Sequence, residues 1–310
     1  MDPTSGTGKY ERLLDQCSTL APVSTIVVHP CEASALASAV EAYKRGLIVP
    51  ILVGPRAKIA QAAQTARISL ENIEIVDVPH SHAAADKAVE LVRAGRAEIL
   101  MKGSLHTDEF MAAIVSRETG LRTERRVSHA FIMDVPTYPK PLIITDGAIN
   151  IAPTLEEKAD ICRNAIDLAI SLGIEKPKVA ILAAVETVTS KMPATIDAAA
   201  LCKMAERGQI TGGILDGPLA FDDAISRQAA QTKGIESDVA GDPDILLVPD
   251  LESGNILAKQ LSFLAHADCA GLVLGARVPI ILTSRADSVR SRIASCALAV
   301  LVAHTRRQRP

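Results

Sequence analysis

The chain has 310 residues, of which 48% are hydrophobic, 22% charged and only 2% aromatic, and its formal net charge is -3. That length exceeds one ordinary core and implies two domains. The near-neutral balance, with no Trp and no basic stripe, excludes a nucleic-acid surface, and no apolar run approaches the length of a membrane span. The core must be Ala, Val, Ile and Leu, the composition of parallel strands covered by Ala-rich helices. None of Cys17, Cys31, Cys162, Cys202, Cys269 and Cys296 forms a C-x-x-C pair. They read as free thiols of a reducing compartment. Residues 1–16 are polar and lack the apolar stretch of a signal peptide, so a cytoplasmic protein is expected, with residues 1–8 a disordered tail.

Strand-like and helical runs alternate along the chain. Residues 25–29 read as a strand and 32–45 as an Ala-rich helix. A strand over 49–53 stops at Gly54-Pro55, and one over 73–78 leads to a helix over 81–94 that Gly95 ends. Residues 99–101 form a strand that stops at Lys102-Gly103-Ser104, and 130–134 and 142–145 are further strands. Thr137-Tyr138-Pro139-Lys140-Pro141 is a Pro-rich connector. Thr154-Leu155-Glu156-Glu157 is a capping box, and its helix carries Leu155, Ala159, Cys162, Ile166, Ala169 and Leu172 on one face before Gly173 ends it. A second series has strands at 179–183, 214–215, 245–248, 272–274 and 280–282. The last run leads to a helix in which Val289, Ile293, Cys296, Ala297, Val300 and Leu301 share one face. This alternation predicts an α/β fold, parallel or mixed sheets with helices on both faces.

Almost every strand ends in a polar or glycine cluster: His29-Pro30, Lys102-Gly103-Ser104, Thr145-Asp146-Gly147, Glu186-Thr187, Asp216-Gly217-Pro218, Pro249-Asp250, Gly275 and Ser284-Arg285. Ligands of open α/β sheets bind beyond the carboxyl ends of the strands. Turn chemistry accounts for the Gly and Pro, less readily for Lys102, Asp216, Asp250 and Arg285 together. In Ser284-Arg285-Ala286-Asp287 a hydroxyl, a guanidinium and a carboxylate stand where a buried strand ends and a helix begins, a natural anion site. The same residues also read as a capping-box variant beside a solvated arginine, and both readings stand at this point. After another strand, Lys102 and Ser104 suit a phosphate and Gly103 permits close backbone approach, whereas His106 alone is a weak catalyst candidate. The small residues Ser253, Gly254 and Asn255 open a helix where a ligand can reach backbone N–H groups. Asp216, Asp222 and Asp223 could hold a divalent ion but suit turn and helix-start positions better. No Walker loop, complete G-x-G-x-x-G, H-E-x-x-H, Cys/His ligand spacing or G-x-S-x-G occurs, so no metal site is expected.

Several of these stretches resemble the phosphate acetyl/butyryltransferase family. They are Met101-Lys102-Gly103 with His106-Thr107, Ser128-His129-Ala130-Phe131, Thr145-Asp146-Gly147-Ala148-Ile149-Asn150 with Pro153-Thr154, and Asp216-Gly217-Pro218-Leu219 with Asp222. Val248-Pro249-Asp250-Leu251-Glu252-Ser253-Gly254-Asn255, Gly275-Ala276 with Pro279, and Thr283-Ser284-Arg285 complete the set. The resemblance implies two three-layer α/β/α domains around a cleft, as in isocitrate and isopropylmalate dehydrogenases: residues 1–141 completed by a C-terminal helix over 287–310, and residues 142–286. It implies reversible transfer of an acetyl or butyryl group between coenzyme A and orthophosphate, giving acyl phosphate. Coenzyme A is then a substrate, with no permanently bound cofactor and no metal, and the chain is expected to be a homodimer.

By the same resemblance Ser284 assists at the reacting acyl group and Arg285 holds the phosphate. Acetyl-type members place an aspartate as base for the CoA thiol where this chain has Ser291, a departure shared with the butyryl-type branch. Asp287 becomes the candidate base by proximity. An arginine that many members carry after the His-Thr pair is absent, with Ala112 and Ala113 in that region, and Arg126 is the candidate substitute. Substrate-binding roles are carried to Lys102, Gly103, His106, Thr107, Asn150, Asp216, Gly217, Pro218, Ser253, Gly254 and Asn255. Two alternatives are a metal-dependent dehydrogenase on the same fold and a non-catalytic module that binds CoA or acyl phosphate. The dehydrogenase would want an aspartate cluster beside a Lys/Tyr pair, and none of Tyr10, Tyr43 and Tyr138 sits in such a setting.

Overall fold

The structure, a computed structural model, describes residues 8–283 and 287–308. In chain order it begins α1 (Lys9–Cys17), β1 (Val23–Val28), α2 (Ala33–Lys44), β2 (Ile48–Gly54), α3 (Arg56–Ala66), β3 (Glu74–Asp77), α4 (Ser81–Arg93), β4 (Ile99–Lys102) and α5 (Thr107–Val115). It continues β5 (Ser128–Asp134), β6 (Leu142–Thr145), α6 (Leu155–Ser171), β7 (Lys178–Leu182), α7 (Pro193–Glu206), β8 (Ile214–Leu219), α8 (Phe221–Ile225) and α9 (Arg227–Thr232). It closes β9 (Ile245–Leu247), α10 (Leu251–Leu264), β10 (Asp268–Leu274), β11 (Ile280–Ile281) and α11 (Val289–Gln308). None of these helices is long and apolar enough to cross a membrane. The chain forms two compact units, Tyr10–Val127 with Ala270–Pro310, and Ser128–Cys269 with Met1–Lys9. The limits drawn from the sequence lie somewhat further along the chain.

In the first unit the strand order is β3-β2-β1-β4-β11-β10. All neighbours are parallel except β10 and β11. The runs Ile26-Val27-Val28 and Ile99-Leu100-Met101 are buried throughout, as parallel strands covered on both faces must be. Right-handed crossovers put α2 and α3 on one face and α4 on the other, because the chain moves outward from β1 to β3 and then returns to β4. Val28 lies opposite Val53 on one side and Lys102 on the other, so β1, β2 and β4 finish level. The crevice between β1 and β4 is therefore a topological switch point.

Helix α11 packs on α2, β4 and β11. The spacing predicts a single apolar face, but every residue from Arg292 to Ala303 is buried, while Val289 is exposed. A helix enclosed on all sides needs apolar or small residues all round, which a one-face pattern undercounts. The Sγ of Cys17 donates to the Ala297 carbonyl at 3.4 Å, and the Arg290 guanidinium lies 3.7 Å from the Tyr10 ring centroid, so α1 is fastened to α11.

In the second unit the order is β5-β6-β9-β7-β8, antiparallel only between β5 and β6. Its core is aliphatic, with Leu142, Ile144, Leu182, Leu246 and Val248 packed around Tyr138, whose hydroxyl donates to the Pro243 carbonyl at 2.6 Å. Helix α6 begins with the expected capping box: Thr154 Oγ1 accepts from Glu157 N at 3.4 Å and Glu157 Oε2 accepts from Thr154 N at 3.0 Å. Thr154→Ala removes one of these acceptors and is expected to cost about 1 kcal/mol, read as a lower urea midpoint at unchanged m-value.

Candidate functional site

At the carboxyl edge of the first unit β1 turns away at His29, whose φ of 54° is in the left-handed region. Its carbonyl accepts from Ser104 N at 3.0 Å, Ser104 Oγ at 2.8 Å and Cys31 N at 2.8 Å. Gly103 N donates to the Val28 carbonyl at 2.9 Å. A Cβ at Gly103 would stand 2.3 Å from that carbonyl oxygen, so only glycine lets β4 close on β1 here. Beyond this junction lies a pocket whose lining includes Glu32, Ser34, Lys102, Gly103, Thr283 and Arg292. Lys102 and Arg292 are both buried. Arg292 Nη1 donates to the Ser34 carbonyl at 2.9 Å and to Ser38 Oγ at 3.2 Å, which ties α11 to the first turns of α2. The N-cap residue Glu32 gives α2 no side-chain cap.

In the second unit the carboxyl end of β6 is organised by Asp146, which is buried. Its Oδ1 accepts from Ala148 N at 2.8 Å and Ile149 N at 2.9 Å, and its Oδ2 from Asn150 Nδ2 at 2.6 Å and His129 N at 3.1 Å. Four N–H donors thus stabilise the buried carboxylate and shape residues 146–150. The start of α10 packs onto this loop. Asp250 caps it, accepting from Ser253 N at 2.8 Å and Ser253 Oγ at 2.6 Å. Asn255 Nδ2 donates to the Gly147 carbonyl at 3.0 Å, and a Cβ at Gly254 would stand 2.5 Å from the Asp146 carbonyl oxygen. Near the end of β8, Asp216 Oδ1 accepts from Gly217 N at 2.8 Å, and Pro218 follows, buried.

The residues singled out by the sequence therefore fall into two groups. Lys102 and Gly103 line the first-unit pocket, with His106 and Thr107 exposed at the start of α5 and Arg126 exposed before β5. Asn150, Ser253, Gly254 and Asn255 surround the Asp146 loop, and Asp216, Gly217 and Pro218 belong to β8. Ser284 and Arg285 lie outside the described residues. Asp287 is half-buried just before α11. The Ser291 hydroxyl lies 3.0 Å from that of Ser288, which also accepts from Ser291 N. Lys233 lies 3.1 Å from the carboxylates of both Asp222 and Asp223, in keeping with their place in the first turn of α8. Among the described residues no group of three His, Cys, Asp or Glu could hold a metal ion. All six thiols are free, and burial pushes those of Cys17 and Cys31 up to about 11 and those of Cys162, Cys202 and Cys296 up to about 12. At neutral pH these five are thiols, poor nucleophiles.

Three buried groups have surroundings that the sequence reading did not assign. Asp146 and His129 stand in the family-like stretches, Asp146 also in a strand-end cluster, but neither receives a role from the sequence. Arg292 stands at helical spacing from Val289 and Cys296, a charge on a face that is otherwise apolar.

His129 is enclosed edge-to-face against Phe131, with ring centroids 4.4 Å apart. Burial pushes its pKa down from 6.5 to about 4, against the pull of the Asp146 carboxylate. Between those values the unfolded chain binds a proton that the folded chain refuses. This group therefore leaves stability intact above about pH 6.5 and lowers it as pH falls toward about 4, by up to about 1.4 kcal/mol per unit. Urea unfolding from about pH 7 to about pH 5 is expected to show this decline, and a smaller one in His129→Gln.

The comparisons with known proteins agree with one another. Residues 80–300 match the family model described as Phosphate acetyl/butaryl transferase. Over 96% of its length the chain is 64% identical to the phosphate acetyltransferase of Rhizobium meliloti, of which it covers 95%. It is 43% identical to the phosphate butyryltransferase of Clostridium acetobutylicum, over 85% of this chain and 87% of that one. Among solved structures, a branched-chain phosphotransacylase from Enterococcus faecalis V583 superposes with a TM-score of 0.79 at 30% identity, covering 91% of this chain and 99% of that one. The chain belongs to the phosphate acetyl/butyryl transferase family.

Proposed function

We propose that the protein is a phosphate acetyltransferase: acetyl-CoA and orthophosphate give acetyl phosphate and CoA, reversibly. The observation that carries the acetyl assignment is the 64% identity to a named phosphate acetyltransferase, against 43% to a named butyryltransferase. The first-unit pocket supports the phosphate half of the reaction, since it sets two buried cations at a strand-end switch point. The second unit contributes Asn150 in the pinned loop after β6, Asp216 in β8, and Ser253 and Asn255 in the first turns of α10, proposed to meet the substrates.

In the forward direction a phosphate oxygen attacks the thioester carbonyl carbon. A C–O bond forms, the C–S bond breaks, and CoA leaves as thiolate. Holding the two reactants in line supplies much of the rate, an effect worth up to about 7–11 kcal/mol for well-oriented pairs. Arg285 pairs the phosphate charge in a bidentate fork, and Ser284 donates to the carbonyl oxygen as it becomes an oxyanion. In reverse the CoA thiol, with an ordinary pKa near about 8.5, must lose its proton. Asp287 is the proposed base, since Ser291 cannot accept that proton at neutral pH. No covalent acyl-enzyme is needed. A cytoplasmic location goes with this reading and is part of the proposal.

A homodimer is part of this proposal. Ile256, Phe263 and Leu264 on α10 are largely exposed, an apolar surface that a second copy would cover. Phe263→Asp with Leu264→Asp is expected to convert a dimer to a monomer in light scattering after size exclusion. A monomeric wild type would overturn this part of the reading.

Phosphate-dependent release of CoA from acetyl-CoA and butyryl-CoA tests the reaction. Turnover is expected with acetyl-CoA the better substrate, and Arg285→Ala is expected to lower kcat/KM by about a hundredfold or more. Wild-type CoA binding without turnover of either thioester would overturn it.

A further inference from the structure

We propose that two copies of the chain pair antiparallel through α10, about a two-fold axis beside Ile256, and that this seats the partner's Phe263 against Ile151, so that each copy braces the loop carrying Asn150 in the other. The pairing deepens the homodimer reading and rests on it. That the braced loop meets substrate rests on the acyltransferase reading.

Apolar surface left in water is concentrated on one element. Phe263 is 76% exposed, Leu264 and Ile151 75% each and Ile256 65%, the highest values among the large apolar side chains of the described residues. Three of them are on α10, and the fourth lies against its start, where the Ile151 carbonyl accepts from Leu251 N at 3.1 Å. Exposed apolar residues scattered singly are ordinary, whereas the four largest exposures gathered along one helix mark an interface.

The charges on the same stripe select a second copy as the occupant. Glu252, Ile256, Lys259 and Phe263 recur at i, i+4, i+7 and i+11, so they share one face of α10. Glu252 and Lys259 are exposed, and among the described residues neither side chain has an ion-pair partner. One acid and one base two turns apart make the stripe complementary to itself when the copies run in opposite directions. Each Glu252 then meets the partner's Lys259 across a two-fold axis, whereas parallel helices would set like charges together. This charge register fixes the apolar contacts. The axis falls beside Ile256, which meets the partner's Ile256 at the centre. Phe263 lies about 11 Å along the helix from the axis, just past the level of the partner's helix start. A helical side chain leans toward its own N-terminus, which brings the ring back over the partner's Ile151.

The site is affected because these contacts adjoin it. Ile151 directly follows Asn150, and Ile256 follows Asn255, whose Nδ2 donates to the Gly147 carbonyl at 3.0 Å. Asp146 pins the loop from within through Ala148, Ile149 and Asn150. The partner's Phe263 supplies the outer cover that Ile151 lacks in a single copy. Phe263 is thus a positioning residue for the loop of the other copy.

Glu252→Lys and Lys259→Glu test the register on the full chain. Each alone opposes like charges twice per dimer and is expected to raise the dimer dissociation constant about tenfold or more at low salt, read by sedimentation equilibrium over a dilution series. The two single variants mixed in equal amounts should recover the dimer, because the substituted positions then face each other with opposite charge. Turnover per chain is expected to fall with the monomer fraction and return in the mixture. Amide exchange over residues 147–151 should quicken in the monomer, a readout that needs no catalysis. Single variants as tightly dimeric as wild type, or a mixture that stays monomeric, overturn the pairing. A monomeric wild type shows that something other than a second copy covers α10, and overturns it while acyl transfer stands. Dissociation that leaves both turnover and loop exchange unchanged overturns the bracing. The expected charge response and exchange in a chain that turns over no thioester would remove the acyltransferase reading alone.

Discussion

The contact on which the first unit's site depends is the approach of one strand end to another without a side chain between them. Gly103 donates to the Val28 carbonyl at 2.9 Å, and a Cβ there would overlap the same oxygen. Ser104 then satisfies the His29 carbonyl through both its N–H and its hydroxyl. With β1 and β4 locked level, the residue ending β4, Lys102, and the helix that follows β1 face a common pocket. A bulkier residue at 103 would part the strands and separate the cation from the helix start.

The second unit uses the same device. At Gly217 a Cβ would stand 2.7 Å from the Ile181 carbonyl oxygen, and at Gly254 2.5 Å from that of Asp146. The first glycine lets β8 close on β7, and the second lets α10 close on the loop after β6. Asp146 adds the charge-assisted part, one buried carboxylate gathering four N–H donors, three from its own loop and one from β5. Loops held this way are rigid without large side chains, which suits positions that must admit a substrate. It also explains how a chain with so few aromatic residues defines its strand ends.

The pattern of alternating runs was enough for the α/β class and for most strands, because parallel strands buried on both faces read as unbroken apolar segments. The capping box at Thr154 was legible to the residue, since its two hydrogen bonds are local. Helix α11 was legible as a helix but not as an enclosed one, because the stripe of Val289, Ile293 and Cys296 says nothing about what lies opposite. For the same reason Arg292 passed unnoticed. In a half-exposed helix it would be a solvated charge, and only the packing of α11 on α2 and β4 makes it a buried one.

The sequence by itself determined the alternation of strands and helices and the gathering of polar and glycine residues at strand ends, because turn residues and hydrophobic periodicity are local properties. It also carried the family, through runs such as Val248–Asn255 that fold into the cap of α10 and its contact with the Asp146 loop. Tertiary structure alone decided which of those residues meet. Lys102 and Arg292 are far apart in the chain, and their joint pocket arises from strand register, a crossover and a returning helix. It likewise decided that Asn150 and Asn255 brace backbone within their own unit. Hydrogen-bond partners at long range are set by packing, and no local pattern encodes them.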